Sequence, residues 1–62
     1  MPLTIKRAAA MLASIYILRQ YVNESDAIDT IARSNAVYGI TRDDLQAAYK
    51  LLIDQLAFAD MR

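Results

Sequence analysis

The chain has no cysteine and no histidine, and a single glycine (Gly39) and a single proline (Pro2) in 62 residues. Without cysteine there is no disulfide and no thiolate nucleophile. Without cysteine and histidine the common zinc sites are excluded, and only Asp and Glu remain as ligands for a hard cation. The general base most often used in catalysis is missing as well. One glycine and one proline leave little turn chemistry, which favours a few long helices over many short strands.

The missing staples matter at this length. A 62-residue chain is one domain at most, and a domain of that size buries only about 60% of the surface its unfolded chain exposes. Small domains usually add a disulfide, a metal or a partner. Here an oligomer or a target protein is the staple that remains. The composition points the same way: 56% of the residues are hydrophobic, more than one small core can hide.

Formal charge is zero, with seven basic and seven acidic residues. The balance conceals a segregation. Residues 1–22 carry Lys6, Arg7 and Arg19 and no acid, a formal +3. The remainder carries Arg33, Arg42, Lys50 and Arg62 against seven acids, a formal −3. Two readings follow: the halves attract each other within the fold, or the first presents a basic face to an acidic partner.

Lys6 and Arg7 precede the apolar run Ala8 to Leu18, which resembles the start of a signal peptide. No convincing small-residue cleavage site with a separate mature domain follows. The run is also shorter than the roughly 20 apolar residues needed to span a bilayer. A cytoplasmic protein with no membrane partner is the expectation.

Three segments have helical period. The first spans 4–22, with Thr4 as N-cap and Pro2 ahead of it, where a missing N–H costs nothing. Ile5, Ala8, Leu12, Ile15 and Val22 form one stripe, with Met11 and Leu18 along its edge. Ala9, Ala10, Ala13 and Ile17 continue apolar character round the other side. A helix apolar on most of its circumference is expected to be central and covered on more than one side. The second spans 25–37, capped by Asn23 or Ser25, with Ile28, Ile31, Ala32 and Asn35 facing inward. Glu24, Asp26 and Asp29 complement the positive end of its dipole. Asp26 stands three residues after Asn23, as in a capping box whose acid is one carbon short. Gly39 suits a left-handed C′ residue closing that helix. Thr41 caps the third, 42–60, whose stripe is Leu45, Ala48, Tyr49, Leu52, Leu56 and Ala59.

The fold class expected is therefore all-α: one compact three-helix domain over 1–62, packing as a homodimer. Two apolar excesses are left once each helix has one stripe inward. One is the side of the first helix with Lys6, Ala10, Ala13, Ile17 and Tyr21, which is either covered by the other two helices or a self-association seam. The other is Leu51 and Phe58 beside Ala47, which either wrap onto the first helix or form a patch. Tyr16 and Tyr49 belong to the stripes and suit boundary packing; Tyr21 and Tyr38 lie near helix ends and suit an interface. The candidate protein-interface residues are Ala10, Ala13, Ile17, Tyr21, Tyr38, Leu51 and Phe58.

Catalysis has little to stand on. Ser14, Ser25 and Ser34 have no evident activating partner, and the acids at helix starts are explained by capping and the dipole. No phosphate loop or calcium-loop spacing is present, and no cofactor is assigned. The turn around Gly39 gives the last two helices the outline of a helix-turn-helix, with Thr41, Arg42, Gln46 and Lys50 as its readers. Asp43 and Asp44 would then meet phosphate, and a neutral chain lacks the cationic footprint of a nucleic-acid binder. The expectation is a small non-catalytic protein-binding regulator or inhibitor acting through apolar helix faces. Short chains beginning on Met are typical of such proteins, and of accessory subunits, in bacteria and their phages. A compact DNA-binding regulator using the third helix is the alternative.

Overall fold

Three short polar side chains start the three helices. In the computed structural model, which describes residues 1–60, helix α1 covers Ile5–Leu18, α2 covers Glu24–Ser34 and α3 covers Arg42–Asp60. The Thr4 hydroxyl accepts the Arg7 amide at 3.1 Å, the Asn23 side-chain oxygen accepts the Asp26 amide at 2.8 Å, and the Thr41 hydroxyl accepts the Asp44 amide at 3.1 Å. Each bond satisfies an amide that the helix itself leaves without a partner. The capping box of α2 takes a modified form. The Asp26 carboxylate accepts from the Asn23 side-chain amide at 3.0 Å, so the shortened acid meets the side chain of the cap rather than its backbone.

Two helices end sooner than their periodicity suggests. After Leu18 the chain tightens: Gln20 donates to Ile17 and Tyr21 to Leu18, both three residues back. The expected end at Val22 therefore lies one tightened turn beyond the α-helix. α2 stops at Ser34 rather than near Val37, because Asn35 turns out of it (φ −116°) and its side-chain amide bonds the Ile31 carbonyl at 2.8 Å. A short polar side chain that satisfies the backbone locally ends a helix readily. A 3-10 turn, Ala36–Tyr38, follows. Gly39 closes it with φ +77°, donating to the Ala36 carbonyl at 3.0 Å. Glycine is left-handed as expected, but it caps this turn and not α2.

The core holds seven residues from all three helices: Met11 and Ile15 of α1, Ala27, Ile28 and Ala32 of α2, and Leu45 and Tyr49 of α3. Leu12, Leu18, Ile31, Ile40 and Ile53 pack against it partly buried. Two expectations are corrected here. α1 is covered on one side only: Ile5 at the start of its stripe is 91% exposed, and Ala9, Ala10, Ala13 and Ile17 stay in solvent. Two helices can flank a third on both sides only if they part around it; α2 and α3 instead pack on each other as well as on α1. Tyr49 is not at the boundary but fully buried.

Nothing lies within 4 Å of the position a Cβ would take at Gly39, so any cost there is conformational and not steric. Gly39→Ala is expected to destabilise by about 1 kcal/mol, the left-handed penalty of an L-residue, and Gly39→Asn by less, since Asn tolerates that region. Urea denaturation followed by circular dichroism measures both, and an alanine variant as stable as the parent would contradict the turn.

Candidate functional site

α3 outlasts its neighbours. It has 19 residues against 14 in α1 and 11 in α2, and no residue from Lys50 to Ala59 is fully buried. Where α3 runs along α1, a groove opens between them with a volume of about 390 Å³. Ala9, Leu12, Ala13, Tyr16 and Ile17 line it from α1, and Leu52 and Leu56 from α3. None of these side chains is charged, and Ile17 is 61% and Leu56 49% exposed. The local reason is helical spacing. Ala9, Ala13 and Ile17 recur every four residues, and the two alanines make a low floor between the larger side chains at each end.

The expected interface residues fall in different places. Ala13 and Ile17 are in the groove. Leu51 and Phe58 are exposed but outside it; at about 100° per residue they sit roughly a third of a turn round α3 from Leu52, on its outer shoulder. Ala10 lines a separate shallow depression with Thr4, Lys6 and Arg7. Tyr21 is in the turn after α1, 81% exposed. Tyr38 is half-buried on the 3-10 turn, where the Arg7 guanidinium lies 5.2 Å from its ring centre. Periodicity puts Leu12, Leu52 and Leu56 on inward stripes; they border the groove because those stripes are wider than the core they share. Ala9 belongs to the apolar excess of α1, and Tyr16, which its spacing assigns to boundary packing, lines the groove as well.

A second depression, about 370 Å³, is lined by Glu24, Tyr49, Lys50, Ile53 and Asp54. Two buried polar atoms belong to this region: the Tyr49 hydroxyl and Arg19 Nε, neither with a hydrogen-bond partner among the described residues. The Arg19 guanidinium is 4.8 Å from the centre of the Tyr16 ring and 3.9 Å from the Glu24 carboxylate. Burial pushes the Tyr49 hydroxyl above the ordinary value of 10.0. Arg19 opposes the shift, and Glu24 and Tyr16 add to it.

Several other polar side chains are engaged within or between the helices. Ser14 and Ser34 donate to carbonyls of their own helices, Ala10 at 2.8 Å and Thr30 at 2.9 Å. Ser25 accepts from Arg42 at 2.8 Å, and the same guanidinium donates to Gln46 at 2.7 Å. Among the described residues no group of three or more acids could hold a metal ion, and no helix is long and apolar enough to cross a membrane. The segregated charge is little used for internal attraction. Of the ion pairs among the described residues only Arg19–Glu24 joins the two halves, at 3.9 Å, while Arg33–Asp29 and Arg42–Asp43 lie within the second. The sequence matches no family model, and no curated protein and no solved structure is significantly similar to the chain.

A buried hydroxyl without a partner opposes folding, so Tyr49→Phe is expected to leave stability unchanged or raise it by about 1 kcal/mol. The raised value also fixes a pH dependence. The contribution of neutral Tyr49 is intact below pH 10.0. It is lost as pH rises toward the higher folded value, because the unfolded chain releases that proton first. Tyr49→Phe should therefore flatten the alkaline loss of stability. Denaturation at neutral pH and above pH 10.0 tests this; a phenylalanine variant markedly less stable than the parent would show that the hydroxyl has a partner.

Proposed function

We propose that this chain is a small non-catalytic protein-binding domain of the regulator or inhibitor type, cytoplasmic in a bacterial or phage setting, that works as a homodimer. The observation that carries the reading is the uncharged groove between α1 and α3, left open by a core that uses only one side of α1. An uncharged apolar groove open to solvent is the kind of surface that a protein contact can use. Leu51 and Phe58 extend apolar character from the groove onto the shoulder of α3.

The chemistry of the polar groups supports binding rather than catalysis. The serine hydroxyls are committed to helix carbonyls or to Arg42, and the acids at the helix starts serve caps and dipoles. The DNA reading finds less support. Arg42, its leading cation, is held by Ser25 and Gln46, and the Asp43 side chain beside it is 95% exposed, where it would face phosphate.

If folding is coupled to dimerisation, apparent stability should rise by about 1.4 kcal/mol for each tenfold increase in protein concentration. Ile17→Glu or Phe58→Glu would place a charge in the interface and should yield a monomer or an unfolded chain, whereas Thr30→Lys on the exposed side of α2 should do neither. Sedimentation velocity across concentrations reads the outcome; a folded monomer at every concentration, indifferent to both glutamates, refutes the homodimer. Duplex DNA should not be retained at moderate salt. A salt-sensitive mobility shift abolished by combining Arg42→Ala with Lys50→Ala would put the DNA reading first.

A further inference from the structure

Tyr49 carries a hydroxyl that folding does not use. The side chain is fully buried, and neither its hydroxyl nor Arg19 Nε has a hydrogen-bond partner among the described residues. Phenylalanine would fill the same space without leaving a buried polar group unpaired. A polar group kept in a core against stability points to a use outside folding. Tyr49 also lines the depression of about 370 Å³, with Glu24, Lys50, Ile53 and Asp54 around it. That volume lies at the lower end of small-ligand sites, about 300–1,000 Å³. The depression shares no lining residue with the groove between α1 and α3.

We infer that this depression binds a free α-amino acid with an apolar side chain. The signs of the surrounding charges select the ligand. A simple anion would meet Glu24 and Asp54, and a simple cation would meet Lys50 and Arg19. A small zwitterion suits both. Lys50 and Asp54 stand one turn apart on α3, and no ion pair joins them among the described residues. The two unpaired buried atoms are both able to donate, and a carboxylate accepts from both. The hydroxyl has essentially no accessible surface, so a side chain must yield to admit a ligand. Glu24 is suited to do so. Its carboxylate is 3.9 Å from the Arg19 guanidinium, longer than a hydrogen bond, and its side chain is 46% exposed. The ligand's carboxylate then takes its place beside Arg19, Tyr49 and Lys50. The ammonium lies between Glu24 and Asp54, and the apolar side chain rests on Ile53.

L-leucine is the probe, titrated into the full chain and followed by backbone amide shifts in NMR. Saturable shifts are expected at Tyr49, Lys50, Ile53 and Asp54. Leucinamide, which lacks the carboxylate, and N-acetylleucine, which lacks the ammonium, should each bind about tenfold more weakly, the loss of one charge-assisted contact. Tyr49→Phe should weaken leucine by a similar factor while circular dichroism shows its helices intact. Thr30→Lys, on the exposed side of α2, should bind as the parent does. If Tyr49→Phe loses its helices, Lys50→Gln and Asp54→Asn, both at exposed positions, carry the same test. No saturable shift with leucine overturns the site and leaves the hydroxyl to water. Leucinamide or N-acetylleucine binding as tightly as leucine overturns the zwitterion. A folded Tyr49→Phe, or the Lys50 and Asp54 variants, binding leucine as the parent does removes these residues from the site and overturns it.

Discussion

Seven buried side chains serve three helices of unequal length, and most other features of this structure follow from that shortage. Met11, Ile15, Ala27, Ile28, Ala32, Leu45 and Tyr49 occupy the space where α1, α2 and α3 converge. Two of the seven are alanines, and the largest is a tyrosine whose hydroxyl has no hydrogen-bond partner among the described residues. Each fully buried large side chain contributes roughly 1.5–3 kcal/mol, against about 1–2 kcal/mol of backbone entropy for every residue ordered. A core this thin cannot absorb the apolar residues available. Leu52, Leu56 and the outer side of α1 therefore border solvent.

Local bonds compensate for part of what the core lacks. Thr4, Asn23 and Thr41 start the helices at fixed residues. Asn35 and Gly39 end α2 and the turn after it, and so set the angle at which α3 returns. Arg42 ties the start of α3 to Ser25 at the start of α2. Arg7 against Tyr38 ties α1 to the 3-10 turn. These contacts are mostly exposed and individually worth little, yet between them they leave few ways to connect the three helices. The same contacts hold Arg42, one of the two cations that a nucleic-acid reader on α3 would use.

Much of this architecture is legible in the residues alone because its causes are local. Helical period, the three caps and the left-handed Gly39 each depend on residues within one or two turns of chain. So does the inward set of α2, where Ile28, Ile31, Ala32 and Asn35 are all buried or half-buried as their spacing implies. Length, the lack of cysteine and the high apolar content established that more surface was present than one core could use. The ends of α1 and α2 were less legible, because a tightened turn and a polar residue that bonds backward leave periodicity intact while ending the helix.

Only tertiary packing decided which apolar residues stay outside. Ile15 and Ile17 have the same chemistry, and their helix is apolar almost all round; one is fully buried and the other 61% exposed. Spacing separates the stripe of Ile15 from the side of Ile17, but the second side is apolar as well and nothing within α1 says whether it too is covered. The choice is made by α2 and α3, which lie together against one of them because they also pack on each other. Tyr49, expected at the boundary from its hydroxyl, is fully buried for a similar reason: it packs in a core shared by all three helices, most of whose members are distant from it along the chain. The sequence by itself determined the helices, their caps and the surplus of apolar surface; the packing of the helices decided which part of that surplus lines the groove between α1 and α3 and which stays on open surface, since a side chain's exposure is set by neighbours distant along the chain.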